Sequence, residues 1–346
     1  MNLYVHFPFC RRKCTYCALY SRTGVSASAR EQYVRELAAA VERQTSSFST
    51  IYFGGGSPAL CDLRPLFAAL QTSNLRRQTS NFEFTVELHP LDVTDAKLEE
   101  LRAGGVNRIS LGVEALDDRV LAAMGRDYTV DFALGAFEKI KRIFDNAGID
   151  LIVGFPGAQS DELRRGNAHL ERFAELGLRH ASVYSLQNER GLQGVPDDDE
   201  LLDRVKSAAD ALDALGFKRY EISNYAAPGC ECRHNLAVWR GEDYLGLGEG
   251  ACGRVGLTRT RGIRGKTAAV EYLTESVTPE FDLKERTLFR LRTREGLDAS
   301  RFPEWHATLE RFVRDGLLTR ADPTAAIYTL TPRGTEVCDA LLAELV

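Results

Sequence analysis

Three cysteines stand close together near the N-terminus, Cys10, Cys14 and Cys17, in the run CRRKCTYC. Thiolates are the ligands that iron–sulfur clusters require, and a compact loop can wrap one cluster with three of them. On a four-iron cluster, three cysteines leave one iron without a protein ligand. Metal sites keep such an open position for a substrate or cofactor. These three residues therefore read as metal ligands for a [4Fe–4S] cluster. The competing reading is a structural zinc knuckle completed by a distant fourth ligand. Zinc sites usually pair two C-x2-C knuckles or add a His pair, and neither follows nearby.

Further residues suit a ligand held beside such a loop. Gly54-Gly55-Gly56-Ser57-Pro58 closes a second β-rich run, and consecutive glycines let a backbone approach a ligand closely. A tight turn is the plain alternative. Glu87 in VELHP, Glu114 in SLGVEALDD and Asp150 in IDLIVGF are acidic groups at or within strand candidates, able to receive an ammonium or hydroxyls. Taken singly, helix capping or surface charge explains each as well. Arg126 in MGRDY could meet a carboxylate, or end a helix in solvent. Cys230 and Cys232 lie beside His234 and could form a second metal site, though chance proximity is the simpler account of Cys230. Cys61, Cys252 and Cys338 stand alone; a lone cysteine is usually a small buried hydrophobe, and no role is assigned to them.

The elements that must position these residues alternate. Strand candidates are 3–7, 50–55, 82–88, 108–113, 149–155, 180–186 and 219–225, and helical periodicity marks Ala29–Arg43, Thr94–Ala103, Asp117–Met124, Asp131–Ala147, Asp161–Leu176 and Asp199–Leu215. Such alternation predicts βαβ units and a parallel sheet in an α/β fold. Six or seven units fall short of the eight that close a full barrel, so a partial (β/α)6-type, TIM-like barrel is expected over residues 1–250, with an extension. Residues 251–278, rich in Gly, Arg and Thr from Gly253 to Lys266, read as a connecting loop or hairpin. Residues 279–346 read as a smaller α+β, winged-helix-like domain: two helices, a hairpin in LLTRADPTAAIYTLTP and a final helix Arg333–Leu345.

Composition narrows the function classes. The 346-residue chain is 44% hydrophobic and 27% charged, ordinary for a globular protein with a sizeable core. A net charge of -5 gives no basic field for nucleic acid or an anionic membrane. The segment MNLYVHFPFC lacks the basic and apolar regions of a signal peptide, so a cytoplasmic protein is expected. There, clustered cysteines bind metal or do redox chemistry more often than they form disulfides.

The C-x3-C-x2-C loop after the first strand, with Tyr16 before its last cysteine, resembles the signature of the radical SAM superfamily. The resemblance implies a [4Fe–4S] cluster whose fourth iron is chelated by S-adenosylmethionine (SAM), and a GGGTP-type loop that contacts the SAM amine, here with Ser57 for Thr. GVNRISLGVEALDD, MGRDYT, DLIVGFPG, YSLQNE, YEISNYAAPGCECRHNLAVW and YLGLGEGA resemble one branch. It contains oxygen-independent coproporphyrinogen III oxidase and a related haem chaperone. On that basis Tyr4, Gly55, Gly56, Ser57, Glu87, Glu114, Arg126 and Asp150 are expected at the SAM site.

Two features separate the branch members. The oxidase pattern is similar to C-x3-C-x2-C-x-C, and Leu19 stands where its further cysteine would be; the oxidase's N-terminal extension before the first strand is also missing from this sequence. His234-Asn235-Leu236-Ala237-Val238-Trp239 resembles the chaperone's H-N-x-x-[YF]-W motif. This implies His234 as a haem ligand and Trp239 as a surface for the porphyrin. A loop hydrogen bond for His234 and a core place for Trp239 are the alternatives. Departures fall at His89, where Asn is usual, at Glu114, where Gln is usual, and at Val238, where an aromatic is usual. The leading expectation is a haem chaperone with an electron-donor protein and a membrane-bound haem acceptor. The alternative is an enzyme that decarboxylates porphyrinogen propionates, and whether the chain is an enzyme stays open.

Overall fold

The computed structural model describes residues 1–72, 82–158, 162–164, 166–265, 269–320 and 326–346. Six strands follow one another in parallel: β1 (Asn2–Phe7), β2 (Thr50–Gly55), β3 (Glu83–Leu88), β4 (Arg108–Glu114), β5 (Asn146–Val153) and β6 (His180–Ser185). Helices α1 (Ala27–Glu42), α2 (Arg64–Thr72), α3 (Asp95–Ala103), α4 (Asp118–Met124), α5 (Val130–Lys141) and α6 (Ala168–Glu175) lie between them, and α7 (Asp198–Ala214) follows β6. The chain is thus an α/β fold on a parallel sheet, as its alternating pattern predicts.

Sequence alternation decides which face is which. Leu3, Val5 and Phe7, Ile51 and Phe53, Phe84, Val86 and Leu88, Ile109, Leu111 and Val113 are all buried in one core with the helices. Their neighbours in the chain point to the other face, because side chains alternate along a strand. That face carries Tyr4, His6, Tyr52, Glu83, Thr85, Glu87, Arg108, Ser110, Asp150, His180 and Ser182. Parallel strands are ordinarily apolar on both faces; here the inner face is polar. Asp150 of β5 acts electrostatically on Tyr52 of β2, although a flat sheet would hold strands three apart at about 14 Å. The sheet therefore curls around its polar face. Tyr184, on that face, keeps 42% of its surface exposed, so solvent enters the curl.

Several elements depart from expectation. The segment 219–225 is not one strand: β7 (Lys218–Arg219) and β8 (Asn224–Ala226) pair antiparallel because Glu221 folds back to accept from the Ser223 amide at 3.2 Å and from the Asn224 side chain. Helix α5 ends at Lys141, whose ammonium donates to the Asp145 carbonyl at 2.5 Å, short of the expected Ala147. Helix α6 starts after Asn167, whose side chain accepts from the amides of His169 and Leu170; the expected start, Asp161, lies outside the described residues. Helix α2 fills the crossover between β2 and β3 that the βαβ pattern requires.

Of the loop and the hairpin expected between 251 and 278, the hairpin is what forms, as added sheet. After helix α8 (Arg233–Trp239), strand β9 (Tyr244–Leu247) pairs parallel with β1. Strands β10 (Cys252–Val255), β11 (Thr258–Arg264) and β12 (Val270–Ser276) continue the same sheet antiparallel. Arg254 is buried and pairs with Asp282 at 3.2 Å and Glu285 at 2.6 Å; Lys266 lies outside the described residues. Beyond it, α9 (Pro279–Phe289), α10 (His306–Arg314), α11 (Pro332–Glu336) and α12 (Cys338–Ala343) surround a sheet of β13 (Leu297–Asp298), β14 (Leu318–Arg320) and β15 (Ile327–Leu330). Leu291, Phe302, Trp305, Leu309, Phe312 and Leu341 give this unit its own core. Residues 321–325 of the expected hairpin lie outside the described residues.

Candidate functional site: a cysteine loop at the mouth of a polar barrel

The cysteine loop leaves the C-terminal end of β1. Its start is laced to its end, with the Cys10 amide donating to the Arg22 carbonyl at 2.9 Å and the Arg22 amide to Pro8 at 2.5 Å. Thr15 donates its amide and its hydroxyl to the Met124 carbonyl, each at 3.2 Å, tying the loop to the end of α4. The basic residues brace it: Lys13 reaches the Leu19 carbonyl at 2.5 Å and the Ser21 hydroxyl at 2.8 Å, and Arg11 pairs with Asp92. Cys10, Cys14 and Cys17 are free and half-buried. Burial pushes the Cys10 and Cys14 thiols up, while Ser21 beside Cys10 and the Arg126 guanidinium beside Cys14 pull them back.

Three thiols on one braced loop are the ligand type that a four-iron cluster takes.

The glycine loop packs directly against this segment. The amides of Gly56 and Ser57 donate to the carbonyls of Phe7 and Phe9, each at 2.7 Å. A Cβ at Gly56 would lie 2.5 Å from the Phe9 carbonyl oxygen, and Gly55 has φ +104°; only glycine allows the approach. The Gly55 amide donates to Glu87 at 3.0 Å. With three amides engaged internally, the loop can offer a ligand acceptors rather than donors. The Ser57 hydroxyl is buried and donates to Asp92, so it holds the loop.

Two carboxylates line the inner face below. Glu87 accepts from the Tyr52 hydroxyl at 2.8 Å and is pushed up to about 7, first by burial and then by Asp150. Asp150 accepts from Ser110 at 2.9 Å and is pushed up to about 6 by burial. Tyr4 bonds His6 Nδ1 at 3.0 Å. At the rim, Glu114 and Arg126 form an ion pair at 2.5 Å, and Arg126 also donates to the Tyr16 hydroxyl at 2.5 Å. His89, in place of the usual Asn, accepts from the Leu91 amide at 3.2 Å and is held neutral, its pKa lowered to about 4 by burial and then by Arg126.

The structure therefore brings Tyr4, Gly55, Gly56, Ser57, Glu87, Glu114, Arg126 and Asp150 to the same end or the same inner face as the cysteines. His234 is elsewhere. Helix α8 closes the opposite, N-terminal end of the strands: Glu83, the first residue of β3, accepts from the amides of Arg233 and His234, each at 3.0 Å. The His234 ring is 4% exposed, bonds Thr50 Oγ1 at 2.8 Å and packs 5.2 Å from the Tyr52 ring. Burial lowers its pKa to about 3. The ring is thus enclosed and hydrogen-bonded, within helix α8 rather than in a loop. Trp239 packs edge-on against Phe289 at 6.0 Å and under Arg292, and Cys232 is buried with its thiol pushed up by burial.

One hub had no sequence signal beyond its motif. Glu249, in the YLGLGEGA run, is 1% exposed. It accepts from the Tyr20 hydroxyl at 3.0 Å and from Arg22 at 3.2 Å, and its amide donates to Tyr33 at 2.9 Å. It holds the returning arm of the cysteine loop.

A curled parallel sheet with a three-cysteine loop after its first strand and a glycine loop after its second defines a radical SAM protein, and residues 4–165 match the model of the Radical SAM superfamily. Over 374 residues, 100% of this chain and 94% of the other, it is 30% identical to the heme chaperone HemW of Mycobacterium tuberculosis strain H37Rv. With the heme chaperone HemW of Bacillus subtilis it shares 29% over 99% of this chain and 100% of that one. The chain belongs to the HemW heme chaperone family of radical SAM proteins. Coproporphyrinogen III oxidase (HemN) from Escherichia coli has the same fold, with a TM-score of 0.81 over 99% of this chain and 89% of that one at 20% identity. Membership in the superfamily implies a [4Fe–4S] cluster and SAM. No helix among the described residues is long and apolar enough to cross a membrane.

Proposed function

We propose that this chain is a haem chaperone that carries a [4Fe–4S] cluster on Cys10, Cys14 and Cys17, binds SAM beside it, and passes haem to an acceptor protein. The observation that carries this reading is Leu19. Where the oxidase signature has a further cysteine, this chain has a leucine 58% exposed, in a sequence similar from end to end to proteins named heme chaperone. Clustered thiols of this kind call for a reducing compartment, so the cytoplasm, an electron-donor protein and a membrane-bound acceptor belong to the same proposal. The test is transfer. Haem-loaded protein mixed with a haem-free acceptor should pass its Soret absorption to the acceptor, and anaerobic incubation with coproporphyrinogen III should leave that substrate unchanged by mass. A decarboxylated product without haem transfer would instead establish the oxidase-type enzyme.

At the mouth, Gly55, Gly56 and Ser57 would present backbone acceptors to the SAM ammonium. Tyr4, Glu87 and Asp150 would line the cavity beneath, and Arg126 with Glu114 would sit at its rim. SAM supplies a sulfonium and an ammonium to this acidic lining. Glu87 is raised to about 7, so it gains its charge as pH rises through neutrality. SAM affinity, followed by equilibrium dialysis, should therefore rise severalfold from about pH 6 to about pH 8, and Glu87→Gln should flatten that profile. Without SAM the sign reverses. A carboxyl raised in the fold works against stability as pH rises from its ordinary value toward 7, which a bound cation would offset.

A further inference from the structure

Among the described residues, Glu114 is the one non-glycine residue with positive φ, at +71°. It stands at the end of β4, where the register with β5 shifts between Gly112 and Glu114. A long side chain in left-handed backbone is uncommon and persists where the surroundings hold it. What holds it is Arg126, at 2.5 Å, with the two side chains only 12% and 11% exposed. Arg126 in turn touches the cysteine loop through Tyr16, at 2.5 Å and with the guanidinium 5.9 Å from the ring centre. The chain two residues before Arg126 accepts both Thr15 bonds. The guanidinium is thus fixed beside the segment that runs from Cys14 to Cys17.

We infer that Glu114 is a positioning residue that cancels the charge of Arg126 beside the cysteine loop, and so holds the potential of the cluster low. A bare guanidinium there would favour the more negative, reduced cluster. Paired with a carboxylate in a half-enclosed site, its field is largely cancelled, because opposite charges at contact act on a third group as a short dipole.

The inference rests on the cluster reading, and its test separates the two. Potentiometric titration, read by electron paramagnetic resonance of the reconstituted protein, is applied to wild type, Glu114→Gln, Glu114→Asp, Arg126→Gln and the double variant Glu114→Gln/Arg126→Gln. Glu114→Gln should shift the reduction equilibrium toward the reduced form about tenfold, which is about 59 mV more positive for one electron. Arg126→Gln should move it the other way, and the double variant should return near wild type. Glu114→Asp keeps the charge on a residue that tolerates left-handed backbone, so it should stay near wild type. Intact clusters whose potentials ignore these changes would overturn the inference and leave the cluster reading standing. Protein that binds no cluster in any form would overturn the cluster reading itself.

Discussion

Cys14→Ala protein, reconstituted anaerobically, is expected to lose its cluster: iron and sulfide fall to background and the broad visible absorption disappears. Cys10 and Cys17 alone leave two of the three loop thiolates, Cys232 is buried at the far end of the strands, and Leu19 occupies the next position along the loop. Folding should survive. The loop carrying Cys14 is braced by Thr15, Lys13 and Arg11 through contacts that do not involve the thiol, so the thermal transition should move little. Two thiols retaining a full complement of iron would mean that the cluster is held elsewhere. One equivalent of zinc bound in place of iron would restore the structural knuckle.

His234→Ala should produce the opposite pattern. The ring fills the closed end of the barrel against Tyr52 and Tyr4 and bonds Thr50 in a buried site. Removing a ring from a packed core, with a buried hydrogen bond, costs about 3–5 kcal/mol, to be read as a lower urea midpoint at unchanged slope. Haem binding at the Soret band should persist under conditions where the variant stays folded. The pH dependence carries a second signature. A histidine lowered to about 3 in the fold contributes stability that is complete above its unfolded pKa near 6.5 and is lost as pH falls toward 3. Wild type should therefore weaken over that acid range more steeply than the alanine variant. A variant of native stability that no longer binds haem would return His234 to the role of iron ligand.

Much of this was legible because local chemistry and fold agree. The period-two pattern of LYVHF, FEFTVEL and RISLGV gave the strands, and the C-x3-C-x2-C spacing gave the loop without any tertiary information. The same alternation also held an unread signal. Tyr4, Thr85, Glu87, Ser110 and Asp150 fall on the face that a buried parallel sheet would ordinarily fill with aliphatic residues, which by itself marks a polar cavity.

What stayed hidden depends on contacts distant in sequence. Strand β9 is four residues with a glycine among them, too short and too weakly β-forming to stand out until β1 pairs with it. The meander β10–β12 is rich in Arg and Thr, and only the pairing of Arg254 with Asp282 and Glu285 explains why part of it is buried. His234 and Trp239 share a motif, yet helix α8 sends one ring into the barrel and the other against Phe289. Spacing cannot separate those fates. Glu249 meets Tyr20 and Arg22 from more than two hundred residues along the chain, brought there by the pairing of β9 with β1, and no local pattern announces that encounter.

The proposed function requires an open iron at the cysteine loop. Its plainest test is the electron paramagnetic resonance spectrum of the reduced, reconstituted protein before and after SAM is added. A signal from a four-iron cluster that changes its g-values on SAM addition is the predicted result. A spectrum indifferent to SAM, or a protein that takes up no cluster through Cys10, Cys14 and Cys17, would contradict it.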